Sequence, residues 1–115
     1  MSYKILETDE SINDVYFIAI NAYRYTCDEQ SGENVISLYN ETVEWLREFP
    51  FGYRGISIEH RGYEIHILAF GNYNLFFYID TSKNEIVVLR VMYQKQNWER
   101  ILKVQNLYHI DDVKI

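Results

Sequence analysis

The sequence predicts an α+β protein. One strand comes first, then two helices. A run of antiparallel strands follows, forming a sheet packed against the helical pair, and a short C-terminal helix closes the order. Three observations predict this. Between residues 10 and 49, apolar residues recur at three- and four-residue steps, the period of a helix that faces a core. After Pro50 the period drops to two, as in strands. The alternating segments are separated by tight polar turns, "GNYN" and "TSKN", which make their neighbours antiparallel.

Each element has its own signal. "YKILET" (3–8) places β-favouring residues at Tyr3, Ile5 and Thr8 and reads as the first strand. "TDES" offers capping side chains and first-turn carboxylates, so a helix is expected over 10–25, with Ile12, Val15, Tyr16, Ala19 and Tyr23 in step. "CDEQSGEN" reads as a polar break. Val35, Leu38, Tyr39, Thr42, Trp45, Leu46 and Phe49 carry a second helix that Pro50 stops. Strands are expected over 63–70, 73–80 and 85–93, and "ISIE" could add a short one. The last two are apolar on both faces, the mark of strands in the middle of a covered sheet. "NWERILKV" reads as the final short helix, with Asn97 as cap and Ile101 and Leu102 inward. The chain reads as one domain, with a core over about 1–103 and a tail over 104–115.

The totals exclude several classes. A chain of 115 residues can bury enough surface to fold without staples. The single Cys27 allows no internal disulfide, which fits a reducing compartment, and is expected to be a small buried hydrophobe. No stretch is apolar for long enough to cross a bilayer, and "MSYKILETDE" lacks a signal-peptide pattern, so a cytoplasmic protein with no membrane contact is expected. The net charge of −6 argues against general nucleic-acid binding, although Arg90, Lys95, Arg100 and Lys103 form a local basic stretch. No His, Cys, Asp and Glu spacing has metal geometry, and no Gly-rich phosphate loop exists, so no metal and no cofactor is expected. His66 reads as a satisfied strand residue.

"RVMYQKQNW" (90–98) stands apart, because it gathers polar groups at a strand end. Three stretches, the last of them containing it, resemble the RelE/ParE superfamily of type II toxins, on its ParE-like side. "WLREFPFGYRG" (45–55) is similar to the end of that family's second helix. "RGYEIHILAFGNYNLFFYID" (61–80) is similar to its central hairpin. "IVVLRVMYQKQNWERIL" (86–102) is similar to its last strand and final short helix. The resemblance implies a small bacterial poison neutralised by a co-expressed antitoxin. ParE-like members poison DNA gyrase; RelE-like members enter the ribosome and cut messenger RNA.

The departures bear on mechanism. Where the family has His, Arg and Asp, this chain has Tyr93, Gln96 and Asn97. Arg61 and Arg90 match family arginines. RNA cleavage needs a proton acceptor, a proton donor and cations. Only Arg61, Arg90, Tyr93 and Lys95 could serve it, and glutamines cannot carry protons at neutral pH. The acidic total also opposes docking into a ribosome. The expectation is therefore a toxin that acts by binding a target such as gyrase through Arg90, Tyr93, Gln94, Lys95, Gln96 and Trp98. A ribosome-dependent endoribonuclease, or a non-toxic member that keeps only partner binding, stands as the alternative. Antitoxin contact is expected at Tyr23, Tyr25 and Tyr39 of the helical pair. Plainer roles stand beside these: Arg90 pairing with a carboxylate such as Glu64, Tyr93 packed, "QKQN" a solvated connector, and the three tyrosines in the core.

Overall fold

A computed structural model describes residues 2–104. In chain order the elements are β1 (Lys4–Glu7), α1 (Asp9–Thr26), α2 (Glu29–Glu48), β2 (Arg54–His60), β3 (Tyr63–Phe70), β4 (Tyr73–Asp80) and β5 (Glu85–Tyr93). A final helix, α3, starts at residue 98 and runs to residue 104, the last one described. The expected tail beyond it lies outside the described residues.

Both long helices start where a short polar side chain can satisfy a free backbone N–H. The Thr8 hydroxyl oxygen accepts from the Ser11 N–H at 3.2 Å, and the Asp28 carboxylate accepts from the Gln30 N–H at 3.0 Å. The expected break "CDEQSGEN" is therefore too long. Only Cys27 and Asp28 separate the helices, and Cys27 is an exposed left-handed cap (φ 55°) rather than a buried hydrophobe. Gly32 had looked like part of the break. It sits inside α2, where an added Cβ would lie 2.9 Å from the Ala19 carbonyl oxygen of α1. Its missing side chain lets the two helices approach.

The five strands form one sheet in the order β1-β5-β4-β3-β2. The hairpins β3-β4 and β4-β5 are antiparallel, as the turns require. β1 pairs parallel with β5, so the sheet is mixed. β2 is the full-length form of the short "ISIE" strand. Its pairing with β3 shifts between Gly55 and Glu59, and Ser57 adopts φ 61°. Such a kink is common on an edge strand, where it discourages further pairing.

The core has two layers. On one face, Leu75, Phe77, Ile86, Val88 and Val91 meet Val15, Ile18, Val35 and Leu46 of the helical pair. On the other, Ile65, Phe76, Leu89 and Met92 meet Leu102 of α3. β4 and β5 are covered on both faces, as their double-sided apolar pattern predicts. Fully burying a side chain such as Phe77 contributes about 1.5–3 kcal/mol.

Candidate functional site

β5 has two different edges. Its first half is paired with β1 as far as Val88. Beyond that point β1 has ended and α1 lies alongside. The exposed backbone groups there are met by side chains. Thr8 donates its hydroxyl to the carbonyls of Val88 and Leu89, at 3.1 and 2.9 Å. The Asp14 carboxylate of α1 accepts from the Val91 N–H at 2.9 Å. The Gln96 side-chain oxygen accepts from the Tyr93 N–H at 2.9 Å.

Arg90 belongs to the same arrangement. Phe76 pairs with Arg90 and Phe77 with Val88, so Leu89 is an extra residue in β5. A bulge of this kind re-aims the side chains beside it. Arg90 reaches α1, where its Nε and Nη2 donate to both carboxylate oxygens of Asp14 at 2.5 and 2.8 Å. The two side chains are only 18% and 16% exposed. The partner is Asp14, not Glu64, and Arg90 is not a free cation on the strand end. Glu64 lies instead against Gly55 and within 3.7 Å of His66, whose Nδ1 contacts the Tyr53 carbonyl at 3.1 Å.

The other residues of the expected site separate further. Gln94 donates its amide to the carbonyls of Gly71 and Tyr73, both at 3.2 Å, which fastens the strand end to the β3-β4 turn. Tyr93 is half-buried, its ring 5.5 Å from Tyr73. Trp98 packs 5.3 Å from Phe76. Asn97 caps α3 at 3.5 Å from the Arg100 N–H. Lys95 is exposed, and no ion pair involves it among the described residues. Arg61 lies elsewhere: it occupies the β2-β3 turn at φ 53°, beside Tyr78. Burial pushes the Tyr78 phenol upward, and the Arg61 charge opposes that push. β4 runs seven residue steps from Tyr73, beside Tyr93, to Asp80, beside Glu85. At ~3.4 Å per step that is about 24 Å of strand between the two ends of the sheet. The four residues proposed for nuclease chemistry are not brought together.

Two clefts flank Gln94. One, of about 390 Å³, is lined by Arg54, Ile67, Ala69, Asn74, Gln94 and Trp98. The other, of about 420 Å³, is lined by Asn72, Tyr93, Gln94 and Lys95. Arg54 and the buried Asn74 were missed in the sequence. Arg54 hid in the turn-like "FGYRG". Asn74 hid in "GNYN", although a polar residue within an apolar strand is a signal that can be read. Neither lining contains a carboxylate or a histidine, so among the described residues the strand end offers cations, amides and rings but no carboxylate or imidazole to accept a proton. Among the described residues, no three His, Cys, Asp or Glu side chains could hold a metal ion.

The helical pair presents a different surface. Tyr25 is 92% exposed and Tyr23 44%, whereas Tyr39 is 4% exposed and belongs to the core. The Tyr39 hydroxyl donates to Glu7 at 2.6 Å; burial first, and that hydrogen bond second, push its ionisation far above the ordinary value. Of the three tyrosines expected to meet a partner, two are available. No described helix is long and apolar enough to cross a membrane.

No curated protein matches the chain. Solved structures do. The chromosomal ParDE toxin-antitoxin system from P. aeruginosa is similar at TM-score 0.64 and 14% identity, over 80% of this chain and 96% of that one. The archaeal RelE-RelB complex from Pyrococcus horikoshii OT3 gives 0.56 and 14%, over 84% and 99%. The RelBE2 toxin-antitoxin complex from Mycobacterium tuberculosis gives 0.53 and 17%, over 82% and 100%. At these identities the likeness is one of fold. The sequence itself matches the family described as the ParE toxin of type II toxin-antitoxin system, parDE, over residues 19–98. That match spans the second half of α1, all of α2 and the strands β2 to β5, and ends at the first residue of α3; on it the chain belongs to the ParE toxin family of type II toxin-antitoxin systems.

Proposed function

We propose that this family member stops bacterial growth by binding a target, with DNA gyrase the foremost candidate, and not by cutting RNA. The observation that carries the reading is the fate of the arginines. Arg61 lies at the far end of the sheet and Arg90 is committed to Asp14. Among the described residues, a nuclease site at Tyr93 and Lys95 would thus lack both arginines, and the clefts beside it hold no carboxylate or imidazole to accept a proton. The binding edge is Tyr93, Gln94, Lys95 and Trp98, with Arg54 and Asn74 on the adjoining cleft. Gln96 supports that edge by holding the Tyr93 N–H. An antitoxin neutralises the chain by covering the helical pair, with Tyr23 and Tyr25 among its contacts. The ParDE and RelBE proteins of the same fold are toxin-antitoxin systems, which supports such a partner.

A RelE-like endoribonuclease is the second reading. Arg54 and Lys95, on either side of Gln94, are cations that could hold phosphate. Expression of the chain alone in bacteria separates the possibilities. Growth arrest with blocked supercoiling by purified gyrase is the expected result. Arrest with transcripts cut at ribosomes favours the enzyme. Normal growth at full expression would sink both and leave a protein that only binds its partner.

A further inference from the structure

The helical pair carries a groove whose two walls differ. The α1 wall is apolar: Ile12, Tyr16, Ile20 and Tyr23 are 37%, 57%, 48% and 44% exposed. Their spacing of four, four and three places them on one helix face, over about 16 Å of axis. Large apolar side chains exposed in a continuous row mark a surface that meets another molecule. The α2 side is set by Ile36, Tyr39 and Asn40, and the helix stripe that runs through Ile36 and Asn40 continues to the exposed carboxylates Glu29, Glu33 and Glu44 beyond them, at three- and four-residue steps. Between the walls lies a cleft of about 280 Å³, lined by Ile12, Tyr16, Ile36, Tyr39, Asn40 and Glu7 among others.

Charge is distributed to match. Residues 7–48 hold ten carboxylates against two guanidiniums, Arg24 and Arg47, while residues 49–115 hold seven carboxylates against eight cations. The acidity of the chain is thus the acidity of β1's end and the helical pair. One of the rim groups, Glu44, is partly met by Arg47 at 3.5 Å; no ion pair involves Glu29 or Glu33 among the described residues.

We propose that this groove takes a basic amphipathic helix of the partner protein, its apolar face against Ile12, Tyr16, Ile20 and Tyr23 and a row of Lys or Arg against Glu29, Glu33 and Glu7. The inference deepens the antitoxin reading above, since it names the chemistry of the covering segment. A helix is favoured over an added strand for a physical reason. The backbone of α1 and α2 is hydrogen-bonded within each helix, so the groove offers no free N–H or C=O row for a strand to pair with. Side-chain ridges and grooves are what the two helices present, and a third helix fits them.

The test uses the full chain and two synthetic 18-residue helical peptides of equal apolar face, one flanked by Lys and one by Glu. Fluorescence anisotropy at low salt should show the Lys peptide binding about tenfold more tightly or better, the effect of a few exposed charge pairs. Rising salt should erase the difference. The double variant Glu29→Lys, Glu33→Lys should reverse the preference, and hydrogen exchange should show protection confined to residues 12–23 and the facing turns of α2. Equal affinity for both peptides, no binding of either, or protection on the strand end would overturn the proposal. Growth arrest is measured separately on the same chain, so a failed toxin reading leaves no mark on this result.

Discussion

The strand end after β5 and the groove of the helical pair invert what their sequences suggest. The strand end is rich in polar residues and looks like a working site. Most of that polarity is spent internally: Arg90 on Asp14, Gln94 on two turn carbonyls, Gln96 on the Tyr93 N–H, Asn97 on α3. The helical pair looks like an ordinary amphipathic hairpin, yet it leaves a row of large apolar side chains exposed, and Glu29 and Glu33 beside them form no ion pair among the described residues. A polar residue at the end of a strand commonly repairs the backbone where pairing stops. An apolar residue on the outer side of a helix has no such internal use, so it says more about partners.

The sharpest way to break this comparison is to remove Arg90. Arg90→Ala leaves the Asp14 carboxylate enclosed without its cation, a change that costs about 3–5 kcal/mol. Urea unfolding should register a loss of that size. The double variant Asp14→Asn, Arg90→Met should recover a good part of it, because no uncompensated charge is left behind. A fully stable Arg90→Ala that nevertheless fails to arrest growth would return Arg90 to the binding edge and overturn its structural assignment.

A smaller effect tests the groove side. Gly→Ala inside a helix ordinarily stabilises by about 0.5–1 kcal/mol. At Gly32 the sign should reverse. The new Cβ would sit 2.9 Å from a backbone oxygen of α1, which cannot swing aside as a side-chain tip could. Overpacking of this kind costs ~1–3 kcal/mol. Gly32→Ala should lower the urea midpoint and, by spreading the helices, weaken the Lys-flanked peptide. A gain in stability would mean that the two helices are not held at this spacing.

Much of the fold was legible because its signals are periodic and local. The 3.6-residue steps of α1 and α2, the alternation of β3 and the two turns placed every central element to within a few residues. The parallel pairing of β1 with β5 was not legible, since nothing in "YKILET" names a partner some 80 residues away. A similar distance separates Asp14 from Arg90, and nothing in the sequence of α1 marks Asp14 as its partner. It is the bulge at Leu89 that turns Arg90 onto it, and a bulge leaves no mark on the apolar pattern of "EIVVLRVMY". For Tyr39 two readings stood, antitoxin contact and core packing, and the second is the one found. Its spacing with Val35, Val43 and Leu46 puts it on the buried face, and its hydroxyl is met there by Glu7.

The smallest effects separate two neighbours, Lys95 and Gln96. Both are exposed and both lie in "QKQN". Gln96→Ala removes the acceptor of the Tyr93 N–H in a place that water can reach, so it should cost about 0.5–1 kcal/mol and no more. Lys95→Ala touches no internal bond and should leave stability within about 0.5 kcal/mol. Their effects on growth should run the other way. At matched expression, loss of Lys95 should relieve the arrest, because Lys95 is the cation of the proposed binding edge and forms no ion pair among the described residues, while Gln96→Ala should still arrest growth. If both variants are as toxic as the parent, the target is met elsewhere, and the cleft that holds Arg54 and Asn74 becomes the surface to change next.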